Sequence, residues 1–297
     1  VGSEMCIRDR FNFILIMQNN NLTNLQALRP NFQYHPFHMV TPSPWPLFIS
    51  FSLLILTLGS VVYFQGYTSP FGDSGFSLVL LGLITVSFCM ALWLRDVVTE
   101  GTFLGNHTLA VQKGLTLGMV VFIISEVFFF LSIFWALFHS SLSPGVELGG
   151  QWPPVGIESI NPFELPLLNT LLLLTSGATV TYAHHALMNK NRTVAISGLF
   201  LTIVLAVLFT FCQGIEYINA PFTIADGVYG STFFLSTGFH GFHVIVGTIM
   251  LAVSLGRLIQ YHFTNTHHVG YESGILYWHF VDVVWLFLFV SVYWYGG

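Results

Sequence analysis

The chain has 297 residues, of which 54% are hydrophobic and 7% are Asp, Glu, Lys or Arg, and its formal net charge is −5. Soluble domains carry about 25% charged residues, so this composition excludes a soluble globule and points to lipid as the main solvent. Eight basic side chains are too few for a nucleic-acid footprint, and Cys6, Cys89 and Cys212 stand too far apart to outline a disulfide framework or a zinc knuckle.

Residues 1–16 mix charges with the short apolar run 11–16, and they read as an extension, an import segment or a reading artefact, with Met17 an alternative start. Residues 1–37 form a tail, followed by one membrane domain over 38–297. A helix rising 1.5 Å per residue needs about 20 apolar residues to cross a ~30 Å hydrocarbon core. Seven windows meet that length: 46–65, 76–94, 115–139, 165–187, 193–214, 229–256 and 274–295. The turn formers Gly72, Asp73, Ser74 and Gly75 join the first two.

Arg8, Arg10, Arg29, Arg95, Lys113, Lys190, Arg192 and Arg257 then all fall on one side of the membrane. Asp73, Glu147, Glu158, Glu164 and Asp226 fall on the other. The positive-inside bias predicts an inner N-terminus and an outer C-terminus.

Ionisable groups inside spans are expensive, so each needs an account. Glu126 sits eleven residues into the third window, near the midplane, with Ser125 as almost its only polar neighbour along the helix. It reads either as a proton relay or gating group, or as a neutral carboxyl hydrogen-bonded within the bundle. Asp282 shares a helix face with His279 at i, i+3, and the pair is either proton-conducting or a mutually satisfied polar patch.

Twelve histidines invite a metal or haem hypothesis. His240 and His243 lie on one face of the sixth window, His184 and His185 end the fourth, and His267 and His268 follow the sixth. No window carries Glu-x-x-His, the carboxylate-bridged di-iron signature. Gly238, Gly241 and Gly247 favour close helix packing, so these histidines, with His279, are expected to be structural. At the inner surface Trp93, Arg95, Asp96, Glu100 and His107 cluster after the second window, and Arg257 ends the sixth. Arginine beside an interfacial Trp suits either lipid headgroup binding or generic anchoring.

Several motifs are more specific. His38-Met-Val-Thr-Pro-Ser-Pro-Trp-Pro46, Gly105-Asn-His-Thr-x-x-Val-Gln-Lys113, Phe122-Ile-Ile-Ser-Glu126, Ala183-His-His-Ala186, Thr237-Gly-Phe-His-Gly241 and Tyr277-Trp-His-Phe-Val-Asp-Val-Val-Trp-Leu-Phe-Leu288 closely resemble cytochrome c oxidase subunit III. The resemblance runs from about His38 to the C-terminus. It implies an all-α integral membrane protein with seven transmembrane helices arranged as 2 + 5 around a V-shaped cleft that holds phospholipids. It also implies a non-catalytic subunit with no redox centre or metal of its own, the haems and coppers belonging to partner subunits I and II.

By resemblance Trp93, Arg95, Glu100, His107 and Arg257 fall at cleft-lipid headgroup contacts, and Glu126 matches the family's intramembrane glutamate. Leu94, Thr99 and Asn106 depart from the usual Trp, Arg and His, and the loop 65–75 is longer than in many relatives. Related quinol-oxidase subunits typically lack the first two helices. The implied role is to bind lipid, stabilise subunit I among accessory subunits, and support proton and oxygen access. The implied location is the mitochondrial inner membrane, with the N-terminus in the matrix and the C-terminus in the intermembrane space.

Two other classes fit less well. A receptor would put its N-terminus outside, and a retinal protein needs a Schiff-base lysine that the seventh window lacks. A stand-alone transporter would explain Glu126 and Asp282, yet no inverted repeat or pair of broken helices is visible.

Overall fold

The computed structural model describes residues 35–68, 72 and 75–297. Cys6, Arg8, Arg10, Met17, Arg29, Asp73, Ser74 and the expected tail up to residue 34 lie outside the described residues. Among the described residues there are seven long helices and no strand. They are α1 (Trp45–Phe64), α2 (Phe76–Thr102), α3 (Leu109–Ser141), α4 (Leu165–Met188), α5 (Arg192–Asn219), α6 (Gly227–Ile259) and α7 (Val269–Leu288), the last widening into a π turn over Phe289–Trp294. All seven are long and apolar enough to cross a membrane. The chain is an all-α, multi-pass membrane protein.

Most helices outrun their apolar windows. α2 continues to Thr102 instead of stopping at residue 94, α3 begins at Leu109, α5 runs to Asn219 and α7 begins at Val269. Hydropathy marks where side chains enter hydrocarbon, whereas the backbone ladder continues until a Pro, a Gly or a competing cap interrupts it. The headgroup layer accepts Arg95, Asp96 and Glu100 on a helix that is still fully hydrogen-bonded.

The described chain divides after Gly114 into two compact units. In the first, α1 and α2 approach so closely that a Cβ on Gly82 would lie 2.6 Å from the Leu56 backbone and one on Gly59 would lie 2.8 Å from the Val79 nitrogen. Small residues at a seam are how membrane helices gain van der Waals contact, because burial away from lipid yields no hydrophobic gain. Phe51, Leu54, Leu58, Ile84 and Phe88 point outward.

The second unit is organised around α7. Trp278, Trp285, Tyr271 and Leu288 are fully buried on it. The two indole N–H groups donate across the seam to α4, from Trp278 to Ser176 Oγ at 2.9 Å and from Trp285 to Thr170 Oγ1 at 2.9 Å. Each buried donor is thereby satisfied where no water can serve it. α4 turns directly into α5 through Asn189, Lys190 and Asn191, with Lys190 at φ 63° and the Asn191 side chain capping the Val194 N–H. Of the three glycines near the sixth helix's histidines, Gly247 lies against Trp278, whereas Gly241 has no neighbour where a side chain would stand. Close packing there is carried by Gly247.

Candidate functional site

In the first unit, Trp45 at the start of α1 donates its indole N–H to Asp96 Oδ2 at 2.5 Å. Arg95 grips the other oxygen of the same carboxylate with two N–H groups, at 2.9 and 3.1 Å. Asp96 neutralises the arginine locally while the Arg95 side chain stays 63% exposed. One turn further on, Glu100 lies 3.9 Å from His38, and the His38 and His107 rings stand 6.3 Å apart. Thr108 donates to the Pro36 carbonyl, tying the segment before α1 to the start of α3. Trp93 is exposed two turns before Glu100 on α2. Asp96, Glu100, His107 and Trp93 thus gather at one end of this unit together with His38 and Trp45, which composition does not reveal. The Trp45-Pro46 start, an aromatic at a membrane interface, is the signal that marks them. Arg257 belongs to the second unit, in the last turn of α6, with its guanidinium 4.3 Å over the Phe263 ring.

The second unit buries its ionisable groups in pairs. Glu126, near the middle of α3, meets His243 of α6, with Oε2 and Nε2 3.0 Å apart. The other nitrogen of His243, Nδ1, lies 2.6 Å from the Phe239 carbonyl, which only accepts, so Nδ1 carries a hydrogen. One further proton must then sit between Nε2 and the carboxyl, on one partner or the other, and the pair is neutral as a whole. The phenyl ring of Phe130 closes over His243 at 5.0 Å.

A similar pair lies on α7. His279 Nδ1 is 3.5 Å from Asp282 Oδ2, and its Nε2 is 3.2 Å from Thr181 Oγ1 of α4. Thr181 already spends its hydroxyl hydrogen on the Gly177 carbonyl, so it accepts from His279. The pair borders an open groove lined by Leu174, Gly177, Thr181, His185, His279 and Asp282.

A third buried carboxyl, Glu216, goes unmarked by the apolar windows because the fifth one closes at residue 214. α5 carries on to Asn219 and turns Glu216 inward, where it is 2% exposed. Tyr293, on the π turn, donates to its Oε1 at 2.6 Å, and Gln213 donates to the same oxygen at 3.0 Å. Asn169 of α4 completes the network by donating to Gln213 at 3.2 Å.

The histidines separate. His240, fully enclosed, has Nε2 3.2 Å from the Val281 carbonyl of α7, while His243 turns to α3, so the two do not converge on one point. His184 instead meets His268, with their Nε2 atoms 3.1 Å apart, and Glu272 lies 3.3 Å from His268. His38, Glu100 and His107 also bring three potential ligand atoms within 4.8 Å of one another.

Residues 35–297 match the family model of cytochrome c oxidase subunit III. The chain belongs to that family. It is 68% identical over 274 residues to the cytochrome c oxidase subunit 3 of Mycosarcoma maydis, across 92% of this chain and all of that protein. It is 64% identical to the cytochrome c oxidase subunit 3 of Emericella nidulans, across 90% of this chain and 97% of the relative, and 59% identical to that of Podospora anserina, across 93% and 100%. As a cytochrome c oxidase subunit III, it is part of an oxidoreductase complex and assembles with other oxidase subunits. The paired carboxyls and the indole-to-hydroxyl seam described above are therefore features of a subunit III.

Proposed function

We propose that this chain is the redox-silent membrane subunit of cytochrome c oxidase in the mitochondrial inner membrane. It binds phospholipid headgroups, stabilises subunit I beside subunit II and the accessory subunits, and keeps proton and oxygen access to the oxidase open. The haem and copper chemistry resides in subunits I and II, which pass electrons from cytochrome c to oxygen while protons are pumped.

The observation that best supports this reading is that the intramembrane ionisable groups are engaged with one another: Glu126 with His243, Asp282 with His279, and Glu216 with Tyr293 and Gln213. Side chains so engaged hold helices together. The histidines His184, His185, His240, His243 and His279 have packing and hydrogen-bonding roles in this reading, and Glu126 with Asp282 supplies the carboxyls that bear on proton handling.

Lipid binding rests on the exposed Arg95 beside Trp93, Glu100 and His107 at one end of the first unit, and separately on Arg257 at the end of α6. A guanidinium can present two N–H groups to a phosphate, and an interfacial Trp fixes the depth at which it does so. The described basic residues lie toward the end of α2 (Arg95) and the start of α3 (Lys113), flanking their link, at the α4–α5 link (Lys190 and Arg192), and at the end of α6 (Arg257). By the positive-inside bias those links face the matrix, with the N-terminus on the same side and the C-terminus in the intermembrane space.

The test is the lipid and haem content of the purified oxidase. Arg95→Ala is expected to release bound anionic phospholipid, read by native mass spectrometry, and to shorten the period over which the enzyme turns over at full rate. Unchanged lipid occupancy would refute the headgroup assignment. Purification of the chain without any haem-containing partner would refute the subunit role.

A further inference from the structure

We propose that His184, His268 and Glu272 form a binding site for a zinc-class divalent cation, tying the end of α4 to the start of α7. The three side chains come from different stretches of chain: His184 near the C-terminal end of α4, His268 in the loop after α6 and Glu272 in the first turn of α7. His184 Nε2 lies 3.1 Å from His268 Nε2, His268 Nε2 lies 3.3 Å from Glu272 Oε1, and all three ligand atoms fall within 4.8 Å of one another. Zinc bonds of about 2.0–2.1 Å to nitrogen and oxygen put tetrahedral ligand atoms roughly 3.3–3.4 Å apart. One edge of that tetrahedron, at 3.3 Å, already stands at this length and a second, at 3.1 Å, lies close to it. The third closes by rotation of Glu272, whose side chain is 39% exposed and free to turn.

The hydrogen bonding leaves a ring nitrogen of His268 available to a cation. His268 Nδ1 is 2.9 Å from the Thr264 carbonyl, an acceptor only, so its hydrogen is on Nδ1. Neutral His268 therefore presents the lone pair of Nε2 to its two neighbours, where it accepts an N–H from His184 Nε2 or, in its place, binds a cation. His268 is buried, with its side chain 4% exposed. A carbonyl holding the far ring nitrogen is also the arrangement that fixes a metal-binding imidazole in place. Thr264 is itself braced: its N–H donates to the His267 carbonyl and its hydroxyl accepts from the His267 N–H. The carbonyl end of α4 adds a negative dipole beside His184.

Two imidazoles and one carboxylate suit zinc and leave a fourth position for water. The site differs in kind from the His240 and His243 positions, where each imidazole turns to a different helix. It goes beyond the structural role expected for His184, and it requires no redox chemistry.

The experiment uses the intact purified oxidase containing this chain, stripped with chelator and titrated with Zn2+, with bound zinc counted by elemental mass spectrometry. His268→Ala is expected to remove one equivalent of tightly held zinc, and Glu272→Gln to weaken that equivalent by about tenfold or more. X-ray absorption of the wild-type site should show two imidazole nitrogens and a carboxylate oxygen. Equal zinc content and affinity in the wild type and both variants would overturn the proposal. Should His268→Ala fail to assemble, the wild type still decides. Zn2+, but not Mg2+, is expected to protect His184 from diethylpyrocarbonate, read by peptide mass spectrometry, and modification unaffected by Zn2+ would overturn the proposal.

Discussion

A membrane-buried carboxyl is tolerated only when its neighbours supply what water would, and Glu216 shows how this is done. Tyr293 and Gln213 both donate to Oε1, whereas Oε2 has no partner among the described residues. Tyr293→Phe removes the shorter of the two bonds without opening a cavity. It is expected to cost about 1–3 kcal/mol, the usual penalty for stranding a buried acceptor. Thermal loss of the subunit from the purified complex would measure it, and an unchanged midpoint would mean that Gln213 alone satisfies the oxygen. The network was invisible in sequence for two reasons: the apolar window stopped short of Glu216, and its partner Tyr293 lies 77 positions away. Glu126 was legible, since an acid amid phenylalanines stands out, but its partner His243 was not, because nothing in periodicity links residues 117 apart.

Helices, by contrast, were largely written in the sequence. A bilayer demands about 20 apolar residues of any helix that crosses it, and each of the seven windows became a helix. Their ends were not written there, because backbone hydrogen bonding carries on through polar residues, as at Arg95 and Glu100 of α2. The α1–α2 seam depended on position in the same way: Gly82 matters because the Leu56 backbone stands directly opposite. Gly82→Leu is expected to push the two helices apart, at the ~1–3 kcal/mol typical of overpacking. Limited proteolysis in the loop 65–75 would report it as faster cleavage, with Gly82→Ala intermediate, and cleavage at the wild-type rate would show that the seam can yield. The turn after α4 carries a second constraint on helix ends. Arg192 donates from Nη2 to the Leu258 and Ile259 carbonyls at 2.7 and 2.6 Å, capping α6 from the first residue of α5.

At the scale of the molecule, the family resemblance adds what spacing alone does not: a subunit of cytochrome c oxidase, for which we propose that the electron carriers lie in other chains. The Glu126–His243 pair tests this, because Glu126 lies near the middle of α3 and is the natural suspect for a direct part in turnover. With one shared proton and both partners already engaged, its replacement should disturb packing more than chemistry. Glu126→Gln is expected to leave the initial rate of oxygen consumption nearly unchanged in correctly assembled enzyme, measured polarographically within the first turnovers. An immediate collapse of that rate would place this carboxyl on the path of electrons or pumped protons.

Burial is shared out very unevenly among the seven helices. Within the apolar windows, 61% of positions along the span ending at Trp294 are enclosed by the rest of the chain, against 11% for α1 and 6% for α2. Exchanging one greasy side chain for another along most of α1 or α2 therefore leaves this polypeptide's own interior as it was, and any effect is felt by whatever lies alongside. Along α7 most exchanges must be absorbed internally. Variation that accumulates in the first two helices thus reports on the surroundings they have adapted to, while the last helix has little room to record anything but its own fit.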